Sequence, residues 1–207
     1  MNLIEELKNY CDINNPVGAL MLSGEWGCGK TYLIKTKFIP SVKDTYVFVC
    51  ISLFGIDSLD KLRVEVKKKW LEKASEFDSL NGTKVSRVAD SCRRIFDTIK
   101  DRLPENWQKK GEVVSSIMDL INFMPISNRM FEKKVILVFD DLERTNISCT
   151  DLLGCINDYC ENQGFNTIIV ANEEKIKDRS DNELSYREIK EKIVQRVIPF
   201  VPDYEEV

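Results

Sequence analysis

The stretch from Ala19 to Thr31 constrains this chain more than any other. Ala19-Leu20-Met21-Leu22 is a short apolar run that reads as a buried parallel strand, and it ends in Ser23 and then Gly24-Glu25-Trp26-Gly27-Cys28-Gly29-Lys30-Thr31. Glycines let the main chain curl until successive N–H groups point into one concavity. A helix is expected to follow from Thr31 to Phe38, so that concavity sits at a helix N-terminus, where anions are held. The spacing G-x-x-x-x-G-K-T fits the Walker A pattern in every fixed position, between the strand and the helix that the pattern requires. Lys30 is expected to set its ammonium against the phosphate oxygens of a nucleotide, and the Thr31 hydroxyl to ligate Mg²⁺. Gly24, Glu25, Trp26, Gly27, Cys28, Gly29, Lys30, Thr31 and Tyr32 form the expected nucleotide-binding set. The plain alternative, a glycine-rich turn followed by a chance Lys-Thr, does not explain the flanking elements.

A site of this kind needs an acid at the end of a second strand. Val135-Ile136-Leu137-Val138-Phe139-Asp140-Asp141 supplies it. Asp140 is expected in the Mg²⁺ shell, and Asp141 to orient or deprotonate the attacking water, with Glu143 as a substitute candidate. Asp after an apolar strand also serves as a helix N-cap, which is the competing reading. Lys30 and Asp140 are 110 residues apart, room for an extra strand, which points to the class with a strand between the loop strand and the acid strand. Thr167-Ile168-Ile169-Val170-Ala171-Asn172 is a third element. Asn172 is placed either to sense the γ-phosphate or the lytic water, or simply to end a strand in a turn. The same segment continues Glu173-Glu174 and lacks an Asn-Lys-x-Asp guanine-reading signature, so ATP is the expected nucleotide.

Further β-rich runs at Thr45 to Leu53 and Asn166 to Val170 alternate with helical patterns at 3 to 10, Ser58 to Ser79, Cys149 to Asn162 and Ser185 to Arg196, before a short apolar run from Val197 to Val201. Alternation of this kind predicts a three-layer αβα architecture with a parallel central sheet. Residues 84–130 break the alternation. Val85 to Leu103 and Glu112 to Phe123 read as amphipathic helices interrupted by Pro104 and Pro125, a helical insertion within a single domain spanning 1–207.

Charge and cysteine usage narrow the function classes. Lys plus Arg number 30 against 34 Asp plus Glu, a net charge of −4, so the overall field does not draw the chain to nucleic acid. Nucleic acid is left to a local patch, and Lys67-Lys68-Lys69, Arg93-Arg94 and Lys109-Lys110 read as solvated helix faces. Seven cysteines without a CxxC pair, and no histidine, exclude a structural zinc site and suit reduced thiols in the cytoplasm. The amino terminus carries Glu5, Glu6 and Lys8 and does not read as a secretory signal; Val113 to Ile126 is too short and too polar, with Asp119 and Asn122, to span a membrane.

The loop Gly24 to Thr31, the run Asp140-Asp141-Leu142-Glu143-Arg144, and Ile169-Val170-Ala171-Asn172 together resemble the KAP family of P-loop NTPases. Tyr186-Arg187-Glu188-Ile189-Lys190-Glu191-Lys192-Ile193 with Pro199-Phe200 resembles the segment after the sensor strand in bacterial members. The resemblance covers four separated segments and leaves 84–130 unmatched. It implies ATP-driven conformational switching, often inside multidomain bacterial proteins with a protein partner or effector domain, some of them in defence against phage. Many members carry membrane-spanning helices between the two motifs, and this insertion is too polar and broken for that. A C-terminal helical lid or effector domain is not expected within this chain.

Several residues keep two readings. Cys28 fits the loop because it is small, and its thiol would also make the loop sensitive to alkylation. Trp26 packs beside the nucleotide, a partner or the core. Arg144 and Arg196 are either transition-state cations, supplied in trans in a homo-oligomer, or ordinary ion-paired arginines. Three chemistries remain open: a Mg-dependent ATPase acting as a conformational switch or motor module, a regulatory module that holds nucleotide with slow or no hydrolysis, and a small-molecule kinase.

Overall fold

The strand and helix patterns condense into a parallel sheet covered on both faces in the computed structural model, which describes residues 3–81, 126–130, 132–179 and 183–201. Helix α1 (Leu3–Asp12) precedes β1 (Ala19–Ser23), and the glycine-rich loop then opens into α2 (Lys30–Tyr32). That helix runs on as a π-helical stretch, Leu33–Phe38, and a final α turn, α3 (Ile39–Val42). The helix therefore passes through Pro40 rather than stopping before it. Proline has no N–H and crowds the carbonyl four residues back, and a widened turn relieves both; the Ile39 amide accordingly reaches back five residues to the Ile34 carbonyl.

The chain continues as β2 (Tyr46–Ser52), α4 (Leu59–Asn81), β3 (Arg129–Met130) and β4 (Lys133–Asp140). A 3₁₀ turn, Leu142–Arg144, leads to α5 (Cys149–Asn157), whose π-helical tail covers Asp158–Asn162. Then come β5 (Asn166–Ala171), α6 (Glu173–Arg179), α7 (Glu183–Ile193) and β6 (Val194–Pro199).

The sheet order is β2-β4-β5-β1-β6, with parallel pairing along that path and β3 antiparallel to β4. This is the three-layer αβα P-loop fold with a strand between the loop strand and the acid strand, but the strand's source differs from the expectation. The separating strand, β5, follows β4 in the chain, whereas the described part of the interval between Lys30 and Asp140 supplies β2 and β3, both of which pair with β4.

Two local readings need correction. Arg129–Met130, at the end of the stretch expected to be a helical insertion, is a strand. The helix expected to reach Arg196 stops at Ile193, and Val194 to Pro199 instead pair in parallel with β1, with a register shift between Val194 and Arg196. The helical segments expected at 85–103 and 112–123, with Cys92, Arg93-Arg94 and Lys109-Lys110, lie outside the described residues.

Strands buried on both faces need apolar side chains at consecutive positions. One face gathers Met21, Val49, Ile51, Leu137, Phe139 and Ile169 under α4 to α7, where Leu62, Val66, Leu152 and Ile156 pack against them. The other face gathers Leu22, Phe48, Ile136, Val138 and Ile168 under α1 and the helix from Lys30 to Val42, through Leu7, Ile34 and Phe38. Each such fully buried side chain contributes on the order of 1.5–3 kcal/mol relative to exposure.

At the N-terminal ends of the strands the sheet is closed by α1. The Asn166 amide donates to the Tyr10 carbonyl at 2.8 Å and the Ile13 carbonyl at 3.1 Å, and the Lys134 ammonium to the carbonyls of Cys11 and Ile13, both at 2.8 Å. These groups satisfy carbonyls of the last turn of α1 and of Ile13 just beyond it. The Tyr10 hydroxyl donates to the Gly18 carbonyl and accepts the Thr167 N–H, each at 2.9 Å. The opposite ends of the same strands carry the candidate site.

Candidate nucleotide site

Gly27 and Gly29 have φ of 74° and 99°, in the left-handed region where a side chain is disfavoured, and between them they fold the loop back onto α2. The Gly24 amide donates to the Ala171 carbonyl at 3.2 Å, which ties the start of the loop to β5, and the Phe200 amide donates to the Ser23 carbonyl at 2.6 Å, which extends β6 alongside it. The resulting cradle encloses about 210 Å³ and is lined by Gly27, Gly29, Lys30 and Thr31 on one side and Asp140, Asp141 and Glu143 on the other. Trp26, Tyr32 and Arg144 complete its mouth.

Lys30 is buried, and its ammonium donates to the carbonyls of Gly24 and Glu25, both at 2.7 Å, with the Cys28 sulfur at 3.7 Å. A buried ammonium needs acceptors. Here the loop's own carbonyls supply them, in the place where phosphate oxygens are stronger acceptors.

The Thr31 hydroxyl donates to Asp140 Oδ1 at 3.1 Å, across a sequence separation of 109. That contact joins the two motifs. Burial pushes the Asp140 carboxyl above the usual carboxylate range, with the Asp141 charge acting in the same direction; the Thr31 hydroxyl and Lys35 work against the shift. A buried carboxylate beside a hydroxyl, at the rim of an anion cradle, is the oxygen donor set suited to Mg²⁺, which takes one or two protein oxygens and keeps the rest for phosphate and water. The residues present therefore fit a magnesium nucleotide.

The remaining acids part company. Asp141 adopts φ 61°, ψ 40°, a conformation that Asp tolerates better than most residues. Its carboxylate pairs with Arg144 Nε at 3.1 Å and accepts from the Ser52 hydroxyl at 3.3 Å. Glu143 is buried. Its Oε1 accepts the Trp26 indole N–H from the loop, and its Oε2 accepts the Asn172 main-chain N–H at 3.1 Å. Asn172 is also buried, and its side-chain oxygen accepts the Lys175 N–H at 3.3 Å, as a helix cap does for α6. Its side chain is not among the groups that line the cradle.

Arg144 belongs to the site and Arg196 does not: Arg196 pairs with Glu6 at 2.8 Å, on the α1 side of the sheet. The basic run on α4 forms ion pairs along its own helix, Lys68 with Glu65 and Lys69 with Glu72. Tyr32 is exposed at the mouth.

Sequence reasoning missed Ser52 and Phe54. Ser52 ends β2 beside Asp140 and donates to Asp141, while the Phe54 ring lies 6.0 Å from the Arg144 guanidinium. The signal was there in principle, since ligand sites in such sheets gather where the strands end, and Ser52 is the last residue of a strand adjacent to the acid strand. A second cavity of about 600 Å³ opens beside the cradle, shares Thr31 and Asp140 with it, and is lined by Lys35, Cys50, Lys61 and Lys69.

A family model described as the KAP family P-loop domain matches residues 2–205. No curated protein matches the chain. Among solved structures, the one titled the crystal structure of Cdc6p from Pyrobaculum aerophilum is similar, at 17% identity and a TM-score of 0.47, over 96% of this chain and 44% of that one. This chain thus spans less than half of that protein's length. Among the described residues, no helix is long and apolar enough to cross a membrane. The chain belongs to the KAP family of P-loop domains, and nucleotide binding is the function that its loop carries.

Proposed function

Taking KAP membership as the premise, we propose that the chain binds ATP with Mg²⁺ in the cradle and hydrolyses it, using the change in contacts to switch its interaction with a protein partner or effector domain. The observation that carries this reading is the Thr31–Asp140 hydrogen bond at 3.1 Å, because it sets the hydroxyl after the loop lysine and the strand-end acid in one buried corner of the cradle. Bound MgATP supplies the phosphoryl group and the divalent charge. Thr31 and Asp140 are the residues to hold the ion. Lys30 exchanges the carbonyls of Gly24 and Glu25 for phosphate oxygens, and loop N–H groups meet charge that develops on them.

Glu143 suits the role of ordering and deprotonating water better than Asp141. Its carboxylate is buried, lines the cradle and meets neutral N–H donors from Trp26 and Asn172, whereas Asp141 is ion-paired with the Arg144 cation. Multiple-turnover phosphate release tests the reading. Release by the wild type, retained in part by Asp141→Asn and lost in Glu143→Gln, is expected. A chain that binds ATP and releases no phosphate would instead be a nucleotide-holding regulatory module. The setting that the family resemblance implies, defence against phage, would show as loss of protection in plaque counts when Lys30 is replaced by Ala.

The second cavity favours one rival. It opens onto Thr31 and Asp140 and carries Lys35, while its Lys61 and Lys69 are ion-paired with Asp57 and Glu72, partners that an anionic acceptor would displace. Phosphate transfer to a small molecule, with little release to water, would make the chain a kinase.

A further inference from the structure

We infer that Trp26 is a positioning residue for Glu143, so that the loop that grips the nucleotide also sets the orientation of the water-activating carboxylate. The inference rests on the hydrolytic reading above and goes beyond it by naming how the two halves of the site are coupled.

Trp26 is 52% exposed, which is unusual for so large an apolar ring and rules out a role as ordinary core packing. The ring is nonetheless held. Its N–H donates to Glu143 Oε1, the Arg144 guanidinium lies 5.4 Å from its centroid and the Lys175 ammonium 6.0 Å from it. Cations at these distances are attracted to the π face, and the two come from separate elements, the turn after β4 and α6. A tryptophan presented on a glycine loop is thus clamped by the acid strand's own turn.

Glu143 in turn depends on Trp26. Its second oxygen is fixed by the Asn172 main-chain N–H, at the end of β5, which side-chain replacement does not remove. The first oxygen depends on the indole. With the indole gone, Oε1 loses the donor that ties the carboxylate to the loop, and its orientation is no longer set from the nucleotide side. Such loss of orientation is what lowers turnover without weakening binding, because ordering a reacting group contributes in the transition state.

The indole is also next to the part of the loop that nucleotide entry alters. The Glu25 carbonyl, which accepts Lys30, belongs to the peptide unit leading into Trp26, and Gly27 with its positive φ follows immediately. When Lys30 leaves that carbonyl for phosphate, the peptide next to the indole loses a partner. Phosphate engagement is thereby sensed at Trp26 and passed to Glu143 through one hydrogen bond.

The experiment compares wild type, Trp26→Phe, Trp26→His and Glu143→Gln in ATP titrations and in phosphate release at saturating ATP. Trp26→Phe keeps an apolar ring and removes the donor. Its ATP Kd is expected to stay within about threefold of wild type while kcat falls at least about tenfold, and Trp26→His, which retains a ring N–H, is expected to recover part of kcat. In nuclear magnetic resonance of the nucleotide-free protein, the Trp26 indole proton is expected to move upfield in Glu143→Ala, which a ring not bonded to Glu143 would not show. Wild-type turnover, abolished in Glu143→Gln but unchanged in Trp26→Phe, overturns this inference and leaves the hydrolytic reading standing. An unmoved indole resonance, or parallel losses of affinity and kcat in Trp26→Phe, overturns it as well. Absence of wild-type turnover overturns both.

Discussion

The two ends of the central sheet use the same interactions to opposite purpose. At the N-terminal ends, Asn166, Lys134 and the Tyr10 hydroxyl satisfy main-chain groups of α1 and its neighbours in a corner buried by the helix itself. At the C-terminal ends, Lys30, Thr31 and Glu143 also find protein partners, but those partners are the loop's own carbonyls, a neighbouring acid and an exposed indole. The first set has no competitor, whereas in the second the Lys30 ammonium and the Thr31 hydroxyl can trade their partners for a ligand with better acceptors. A fixed end and an exchangeable end are therefore distinguished by what could replace each partner, rather than by how many hydrogen bonds each contains.

The sharpest contrast should be in thiol chemistry. Burial pushes Cys11 up to about 12 and Cys160 up to about 11 at the closed side, where at pH 8 the reactive thiolate is scarce as well as covered. Cys28, part-exposed in the loop, should be alkylated far faster than buried Cys11, by at least about tenfold, and MgATP should slow it. Peptide mass mapping of a labelling time course checks this; equal rates at Cys28 and Cys11 would break the distinction between the two ends.

Next is the acid. Glu143→Gln should lower kcat by about 10²–10⁴-fold, the usual contribution of a general base, with ATP affinity kept. A mutant that turns over normally would move the role to Asp141. Smallest is the change that touches the closed end alone. Asn166→Ala strips the amide from the Tyr10 and Ile13 carbonyls and should destabilise the fold by ~1–3 kcal/mol in denaturant unfolding, with ATP Kd unchanged. A loss of affinity there would show that the two ends are coupled through the sheet.

Legibility in the sequence followed the range of the interactions. The loop, the helix after it and the strand ending in Asp140-Asp141 are local patterns, and each formed at the place read, although the helix runs on past Pro40 to Val42. Sheet order was reachable only as a class, because which strand separates β1 from β4 depends on a crossover rather than on the spacing between motifs. The Trp26–Glu143 bond spans 117 positions and the Asn166–Tyr10 bond 156, so neither leaves a local signature. The sequence put Asp141 first as the water-orienting acid with Glu143 as its substitute; burial and partners distinguish the two, and those exist only in the fold. Arg144 and Arg196 were likewise equal candidates until tertiary structure put one at the cradle and the other on Glu6.

The account rests on Lys30 being able to trade loop carbonyls for phosphate oxygens. Calorimetric titration of ATP into wild type and Lys30→Ala, with and without Mg²⁺, measures that trade directly. Affinity in wild type that strengthens with the ion, and falls by about 10–100-fold in Lys30→Ala as a lost charged hydrogen bond of ~1.5–3 kcal/mol requires, is the predicted result. Equal affinity in the two proteins, or none in folded wild type with Mg²⁺ present, would contradict it.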